Sequence, residues 1–149
     1  MISRYTRSEM GLVWESENRF SKWLEVEIAA CEAMAQEGLI PEESFKNIKT
    51  KAAFSVARIL EIEDETKHDV IAFLTNVAEY VGPDSRFIHL GLTSSDILDT
   101  SFALLLRQSM DMIIQGVQSF MDILRTRALE HKCTAMIGRS HGIHAEPIT

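Results

Sequence analysis

The sequence has few of the residues that break helices. Its 149 residues include only seven glycines and three prolines. An all-β fold needs many tight turns, and turns concentrate these two residue types. No segment alternates apolar and polar residues convincingly with a period of two, so we expect no sheet. The composition therefore predicts an all-α protein.

Cysteines, excess basic charge and long apolar runs are also scarce. The spacing of Cys31 and Cys133, the two cysteines, matches neither a zinc motif nor a redox motif, so a reduced, cytoplasmic setting is expected. A formal net charge of −7 argues against nonspecific binding to nucleic acid. Apolar runs such as Phe102–Leu106 are far shorter than the roughly 20 residues of a membrane span, and the first residues show no signal-peptide pattern. We expect neither nucleic acid nor membrane as a partner.

Apolar residues recur along the chain with helical spacing. Phe20, Trp23 and Cys31 share one face of a predicted helix from Ser16 to Gly38, where the glycine favours a helix end. The other predicted helices run from Pro41 to near Ala53, from Ser55 to Val81 with an interruption expected at 61–65, and from Ser95 to His131.

The helix predicted from Ser95 to His131 carries the strongest periodic signal. Seven of its apolar residues alternate steps of three and four over three heptads. A stripe of this length is typical of the interior of a helix bundle, and too few other helices remain in 149 residues to cover it. We expect partner helices from other subunits or from sequence outside these residues. The stripe comprises Ala103, Leu106, Met110, Ile113, Val117, Phe120 and Leu124.

Three polar clusters are candidate sites. Thr66–Val70 lies at the entry to a helix, and by itself it is better explained as an exposed, charged helix start capped by Thr66. His89–Asp96 opens the long helix, where hydroxyls and free N–H groups either cap the helix or bind an anion. Gly138–Pro147 combines two histidines, an arginine and a glutamate with glycines that let the backbone bend. No ligand spacing completes a metal site there, so we expect no metal.

Together with Arg4-Tyr5, these clusters resemble the adenylosuccinate lyases of the fumarase/aspartase superfamily in order and approximate spacing. The resemblance covers essentially all 149 residues, although Ser140 stands where threonine is more usual. It implies the N-terminal portion of that fold, with an N-terminal helical domain over 1–95 and the first long helix of the central helical bundle, truncated, over 96–149.

The resemblance also implies a C–N lyase that acts in purine nucleotide biosynthesis. Such an enzyme releases fumarate by β-elimination from adenylosuccinate, giving AMP, and from succinylaminoimidazole carboxamide ribotide. The implied partners are the nucleotide substrate, the fumarate product and further copies of the chain, because the family forms homotetramers whose active sites combine three subunits. No cofactor is implied.

The resemblance assigns a role to most of the polar residues in the clusters. His141 corresponds to the general acid that protonates the departing nitrogen, and His68 to its catalytic partner, which also contacts substrate. His144 is expected to be structural. The implied substrate-binding residues are Arg4 and Tyr5 for the nucleotide, Lys67, His68 and Asp69 around it, Thr93 and Ser94 for a carboxylate, and His89 for the phosphate.

One part of the family pattern has no counterpart in these residues. The family's general base is a serine in a loop with a Met-Pro dipeptide, and the 149 residues contain no Met-Pro. We therefore expect no appreciable lyase activity from these residues alone. Two other interpretations stay open: another superfamily lyase, such as argininosuccinate lyase, or a non-catalytic helical assembly module in which the clusters are capped helix ends.

Overall fold

A computed structural model describes residues 2–149, and 73% of the chain is helical. The all-α prediction is therefore confirmed, apart from one small sheet near the C-terminal end of the chain. The elements are α1 (Ser8–Val13), α2 (Ser16–Gln36), α3 (Glu42–Lys51), α4 (Val56–Thr66), α5 (Asp69–Val81) and α6 (Ser94–His131), short 3₁₀ helices at Ser3–Tyr5 and Gly82–Phe87, and strands β1 (Met136–Ser140) and β2 (Ile143–Ile148).

The sequence predicted a break in the helix at the acidic segment 61–65. The break between α4 and α5 lies after that segment instead. Helix α4 continues through Thr66 and ends at Lys67, whose backbone is left-handed with φ of 51°. The predicted cap is also wrong. His68, not Thr66, caps α5, because its Nδ1 accepts a long hydrogen bond of 3.4 Å from the Ile71 N–H.

Contacts divide the chain into one compact unit that extends through Ser109 and a second unit, Met110–Thr149. Three aromatic rings lie at the centre of the first unit. Phe20 stacks on Phe73 with ring centroids 5.8 Å apart, and Trp23 meets both rings edge-on at 5.0 and 5.5 Å. Fully burying each such ring contributes on the order of 2–3 kcal/mol. The division at 95/96 into two domains stays a prediction.

Helix α6 uses a different face in the first unit from the one that its periodicity singled out. The buried residues are Ile97, Ser101, Leu105 and Ser109, each four positions after the last. The two serines fit this face because their hydroxyls donate to the helix's own carbonyls, at Leu98 and Leu105. By contrast, Met110 and Phe120 of the predicted stripe are about half exposed within the described chain.

The expectation of no sheet is wrong for residues 136–148. Strands β1 and β2 pair in antiparallel fashion, with Ser140 opposite Ile143 and Ile137 opposite Pro147. A bulge in β2, where Ala145 and Glu146 lie opposite the single residue Gly138, disrupts the alternation, which is why a simple period-two pattern is hard to see in the sequence. The turn requires positive φ at His141 and Gly142, and they adopt 53° and 77°.

The sequence predicted no membrane-spanning segment, and the length and apolar character of the helices test that prediction. None of the helices formed by residues 2–149 has both the length and the apolar character that crossing a bilayer requires.

Candidate active site

Helix α2 holds the segment that leads into α6. The Glu27 carboxylate is 1% exposed and contacts His89 twice: its Oε2 accepts the His89 backbone N–H at 2.9 Å, and its Oε1 lies 2.6 Å from Nδ1. One helical turn further along α2, the Cys31 thiol donates to the Phe87 carbonyl at 3.6 Å. Residues 87–89 are therefore fixed to one face of α2 immediately before the predicted Thr93–Ser94 subsite.

Burial controls the protonation of both α2 side chains. It raises the pKa of the Glu27 carboxyl above its ordinary value, while the hydrogen bonds and charge interaction with His89 oppose that shift. Burial, and next the neighbouring Glu27 charge, raises the pKa of the Cys31 thiol to about 11. Glu27 is thus a buried acid that depends on His89 as its partner.

The start of α6 supports both interpretations of the hydroxyl cluster. The Asp96 carboxylate accepts the Thr93 N–H at 2.8 Å, which is one of the two hydrogen bonds of a capping box. The Thr93 hydroxyl makes no hydrogen bond to the residues that the structure describes, and the side chain is exposed. Ser94 is half-buried at the first turn, where free N–H groups favour an anion. The carboxylate of Asp96 therefore caps the helix and leaves the Thr93 hydroxyl available to a ligand.

Lys67, His68 and Asp69 form the junction between α4 and α5. Lys67 is exposed in its left-handed conformation, and Asp69 accepts the Val70 N–H at 2.8 Å. Because His68 Nδ1 accepts from a backbone N–H, the neutral ring carries its proton on Nε2. The exposed side of the His68 ring is thus a hydrogen-bond donor.

A shallow cavity of about 290 Å³ adjoins this junction. Asp69, Trp23 and Phe102 contribute to its lining, as does Arg19, whose guanidinium lies over the Phe20 and Trp23 rings. The cavity contains one basic side chain and two acidic ones, the second being Asp99, so its charge does not favour an anion. We assign the cavity no substrate.

Arg4 and Tyr5 are exposed in the first 3₁₀ helix. The Arg4 guanidinium lies over the Tyr5 ring, 4.8 Å from its centroid, in a cation–π contact. Within residues 2–149, no hydrogen bond or ion pair joins the Arg4, Lys67–Asp69 and His89–Ser94 groups to one another. The structure therefore defines the local geometry of each group, and within residues 2–149 it shows no hydrogen bond or ion pair between the groups.

His141 lies in the second unit, at the tip of the β1–β2 hairpin. Its ring is exposed, and Arg139 lies opposite His144 across the strands. Gly138 is required at the bulge, because a Cβ there would come within 2.9 Å of the Glu146 carbonyl oxygen. The hairpin thus presents a histidine on a turn of fixed geometry. In the described chain, no three acidic, histidine or cysteine side chains group as a metal site.

Sequence reasoning missed Glu27. The residue lies four positions after Trp23 and four before Cys31, on the same buried helix face. An acidic residue on an apolar stripe has to find a buried partner, because an unpaired buried carboxylate is very costly. That interruption of the stripe was the available signal, although nothing in the sequence identified His89 as the partner.

The chain is similar to known lyases along its whole length. The chain is 56% identical over 149 residues to an adenylosuccinate lyase of Synechocystis sp. and 50% identical to that of Bacillus subtilis, and it spans about 35% of the length of each. A solved fumarate lyase from Mesorhizobium sp. BNC1 superimposes with a TM-score of 0.88 at 25% identity, covering 96% of this chain and 34% of that one. A sequence profile described as lyase matches residues 3–149, and the chain therefore belongs to the lyase family.

Proposed function

We propose that the full-length protein is an adenylosuccinate lyase. It cleaves the C–N bond of adenylosuccinate by β-elimination, giving AMP and fumarate, and cleaves succinylaminoimidazole carboxamide ribotide in the same way. Both reactions belong to purine nucleotide biosynthesis. The observation that carries the proposal is identity of 46–56% to adenylosuccinate lyases along the whole of this chain.

The elimination needs an acid, a base and fixed donors for developing negative charge. In this proposal, His141 protonates the departing nitrogen, since an imidazole exchanges protons near neutral pH. His68 supports it and contacts substrate through Nε2, the nitrogen that its capping bond leaves protonated. The base comes from sequence beyond these residues, in keeping with the 35% share of the relatives that the chain spans.

The substrate's anionic groups are distributed over the remaining residues. Thr93 and Ser94 bind a carboxylate of the succinyl group at the start of α6, where the helix dipole and free N–H groups assist. Arg4 and Tyr5 hold the nucleotide, Lys67 and Asp69 line its surroundings, and His89 donates to the phosphate. These local donors compensate for the formal net charge of −7, because a site's field depends on nearby groups.

The proposed enzyme is a cytoplasmic homotetramer whose active sites are completed by neighbouring subunits. The exposed apolar side chains of α6 support this, since contiguous apolar surface is characteristic of an interface. Residues of this stripe that are 48–59% exposed in the described chain are Met110, Ile113, Val117, Phe120 and Leu124. The proposal needs no cofactor and no metal.

The test is fumarate release from adenylosuccinate by the purified full-length protein, with AMP measured in parallel. Thr93→Ala should raise KM by about tenfold, which corresponds to about 1.4 kcal/mol for one lost hydrogen bond to a charged group. Ser95→Ala is the matched control, because that neighbouring hydroxyl is exposed and has no assigned role. Equal effects of the two substitutions would contradict the carboxylate subsite.

Two other outcomes would indicate a different function for the protein. Release of fumarate from argininosuccinate in preference to adenylosuccinate would indicate a different lyase of the same superfamily. Absence of turnover with both compounds, in a protein that is folded and oligomeric, would favour a helical assembly module.

A further inference from the structure

Glu27 is the one acidic residue in the buried core of the described chain, and both of its oxygens are used by the same neighbour. Oε2 accepts the His89 backbone N–H and Oε1 shares a hydrogen bond with ring Nδ1, so the contact restrains the main chain and the imidazole together. We propose that Glu27 is a positioning residue that holds His89 with a proton on Nε2, as a hydrogen-bond donor to an anionic oxygen of the substrate.

The backbone of His89 shows why a restraint is needed. Its φ of 64° is left-handed, a conformation that is unfavourable for a residue with a Cβ. The 2.9 Å bond from its N–H to Glu27 Oε2 compensates for that cost and anchors the residue to α2. Without the carboxylate, the His89 N–H loses its acceptor and the ring loses its fixed orientation.

The contact between Glu27 Oε1 and His89 Nδ1 determines which ring nitrogen of His89 faces the ligand. Oε1 and Nδ1 lie 2.6 Å apart, so a proton lies between them. The His89 side chain is 18% exposed, and Nε2 has no hydrogen-bond partner among residues 2–149. Nε2 is therefore the ring atom left for a ligand.

The protonation states of the pair then favour a donor at Nε2. When the pair carries no net charge, it is either a carboxylate with an imidazolium or a carboxylic acid with a neutral imidazole. The proton between the residues is on Nδ1 in the first form and on Oε1 in the second, and in both forms Nε2 carries a ring proton. Nε2 lacks a proton only when the pair is net negative, and burial disfavours a net charge there. An anion at Nε2 disfavours that state further.

The inference rests on the proposed function, in which the anionic oxygen belongs to the nucleotide phosphate. It adds a residue of the core to the machinery of that site: Glu27 acts through His89 and touches no substrate. Its effect should therefore depend on whether the ligand has a phosphate and on whether His89 is present.

The experiment measures the affinity of the full-length protein for AMP and for adenosine by calorimetry at neutral pH. Glu27→Gln keeps the side-chain shape and removes the charge. It should weaken the affinity for AMP by about tenfold and change the affinity for adenosine by less than about twofold. His89→Ala should have the same selectivity. Adding Glu27→Gln to His89→Ala should cause no further loss of AMP affinity, because the two substitutions remove one interaction.

Glu25→Gln is the matched control, since it removes an exposed carboxylate from the same helix. It should change neither affinity. If Glu27→Gln fails to fold, Glu27→Asp keeps the charge but shortens the reach to His89, and it should give a smaller loss confined to AMP. Equal losses for AMP and adenosine would show that Glu27 has a structural role only and would overturn the proposal, as would additive losses in the double variant.

The fumarate assay distinguishes a failure of the positioning role of Glu27 from a failure of the proposed lyase activity. A wild-type protein that releases fumarate but whose Glu27→Gln variant binds AMP normally disproves the positioning role and leaves the lyase proposal intact. A wild-type protein that releases no fumarate but shows the AMP-specific loss disproves the lyase proposal and retains the pair as an anion-binding device.

Discussion

The side-chain amide of Asn76, on α5, accepts a hydrogen bond from the backbone N–H of Ser55 at 2.8 Å. Asn76 is 1% exposed, and its Nδ2 donates to Glu79, which also pairs with Arg58 of α4. One buried amide thus fixes the residue that caps α4 and orients the carboxylate that pairs with it. The Arg58 and Asn76 hydrogen bonds lower the pKa of Glu79, in keeping with an ionised acceptor.

Asn76→Ala should therefore destabilise the protein. The substitution leaves the Ser55 N–H without its acceptor and should lower the free energy of unfolding by about 1–3 kcal/mol. Urea unfolding measures the change. Thr75→Ala, at the adjacent exposed position on α5, should change it by about 0.5 kcal/mol or less. An equal loss from both variants would contradict this role of the buried amide.

His141→Ala should abolish most of the turnover of the full-length enzyme. Removing a general acid is expected to lower kcat by roughly 10²- to 10⁴-fold with a smaller change in KM. Steady-state fumarate release measures both parameters. The control is His144→Ala, which removes an exposed histidine from the other strand of the same hairpin and should stay within about threefold of wild type. Normal turnover by His141→Ala would disprove the acid assignment.

Gly138→Ala should impair activity although it changes no polar group. The added methyl would lie 2.9 Å from the Glu146 carbonyl, so the strands must separate or the bulge must shift. We expect kcat/KM to fall by at least about tenfold, since small misplacements of catalytic groups are costly. Gly142→Asn is the comparison, because asparagine tolerates the left-handed backbone of the turn and nothing lies within 4 Å of a Cβ there. That variant should retain most of the activity.

Cys31 should contribute to stability in a pH-dependent way. Its folded-state pKa of about 11 lies above the ordinary value of 9.0, so the native state retains the proton longer than the unfolded chain does. The contribution is complete below pH 9.0 and is lost as the pH rises towards about 11, for a total of about 2–3 kcal/mol. Urea unfolding of wild type and Cys31→Ala across that range should show the decrease in wild type alone. Parallel curves would contradict it.

The sequence was sufficient to predict the long helices and insufficient for the contacts that orient side chains. Periodicity and glycine or proline at the boundaries locate α2 and α6 because these signals are local. The hairpin at 136–148 was missed because its bulge breaks the alternating pattern. The pairing of Glu27 with His89 joins residues 62 positions apart, and a single sequence contains no local signal for such a contact.

The buried face of α6 illustrates a further limit. Ser101 and Ser109 pack inside because their hydroxyls are satisfied within the helix, whereas hydropathy alone marks them as surface residues. Hydropathy placed Met110 and Phe120 on a face that needs partner helices, and both are exposed in the described chain. Sequence periodicity identifies a face that needs a partner but does not tell which protein segment supplies it. Arg4, Lys67, Thr93 and their neighbours likewise keep their predicted roles as predictions.

The bulge opposite Gly138 also limits how this segment can vary in length. On β1, two residues separate Gly138 from the turn, and strand faces alternate with every residue. Inserting or deleting one residue there would end the pairing of Arg139 with His144 and place the two side chains on opposite faces, whereas many point substitutions would leave them in place. Natural or engineered variants should therefore tolerate changes of side chain in this hairpin far better than changes in its number of residues.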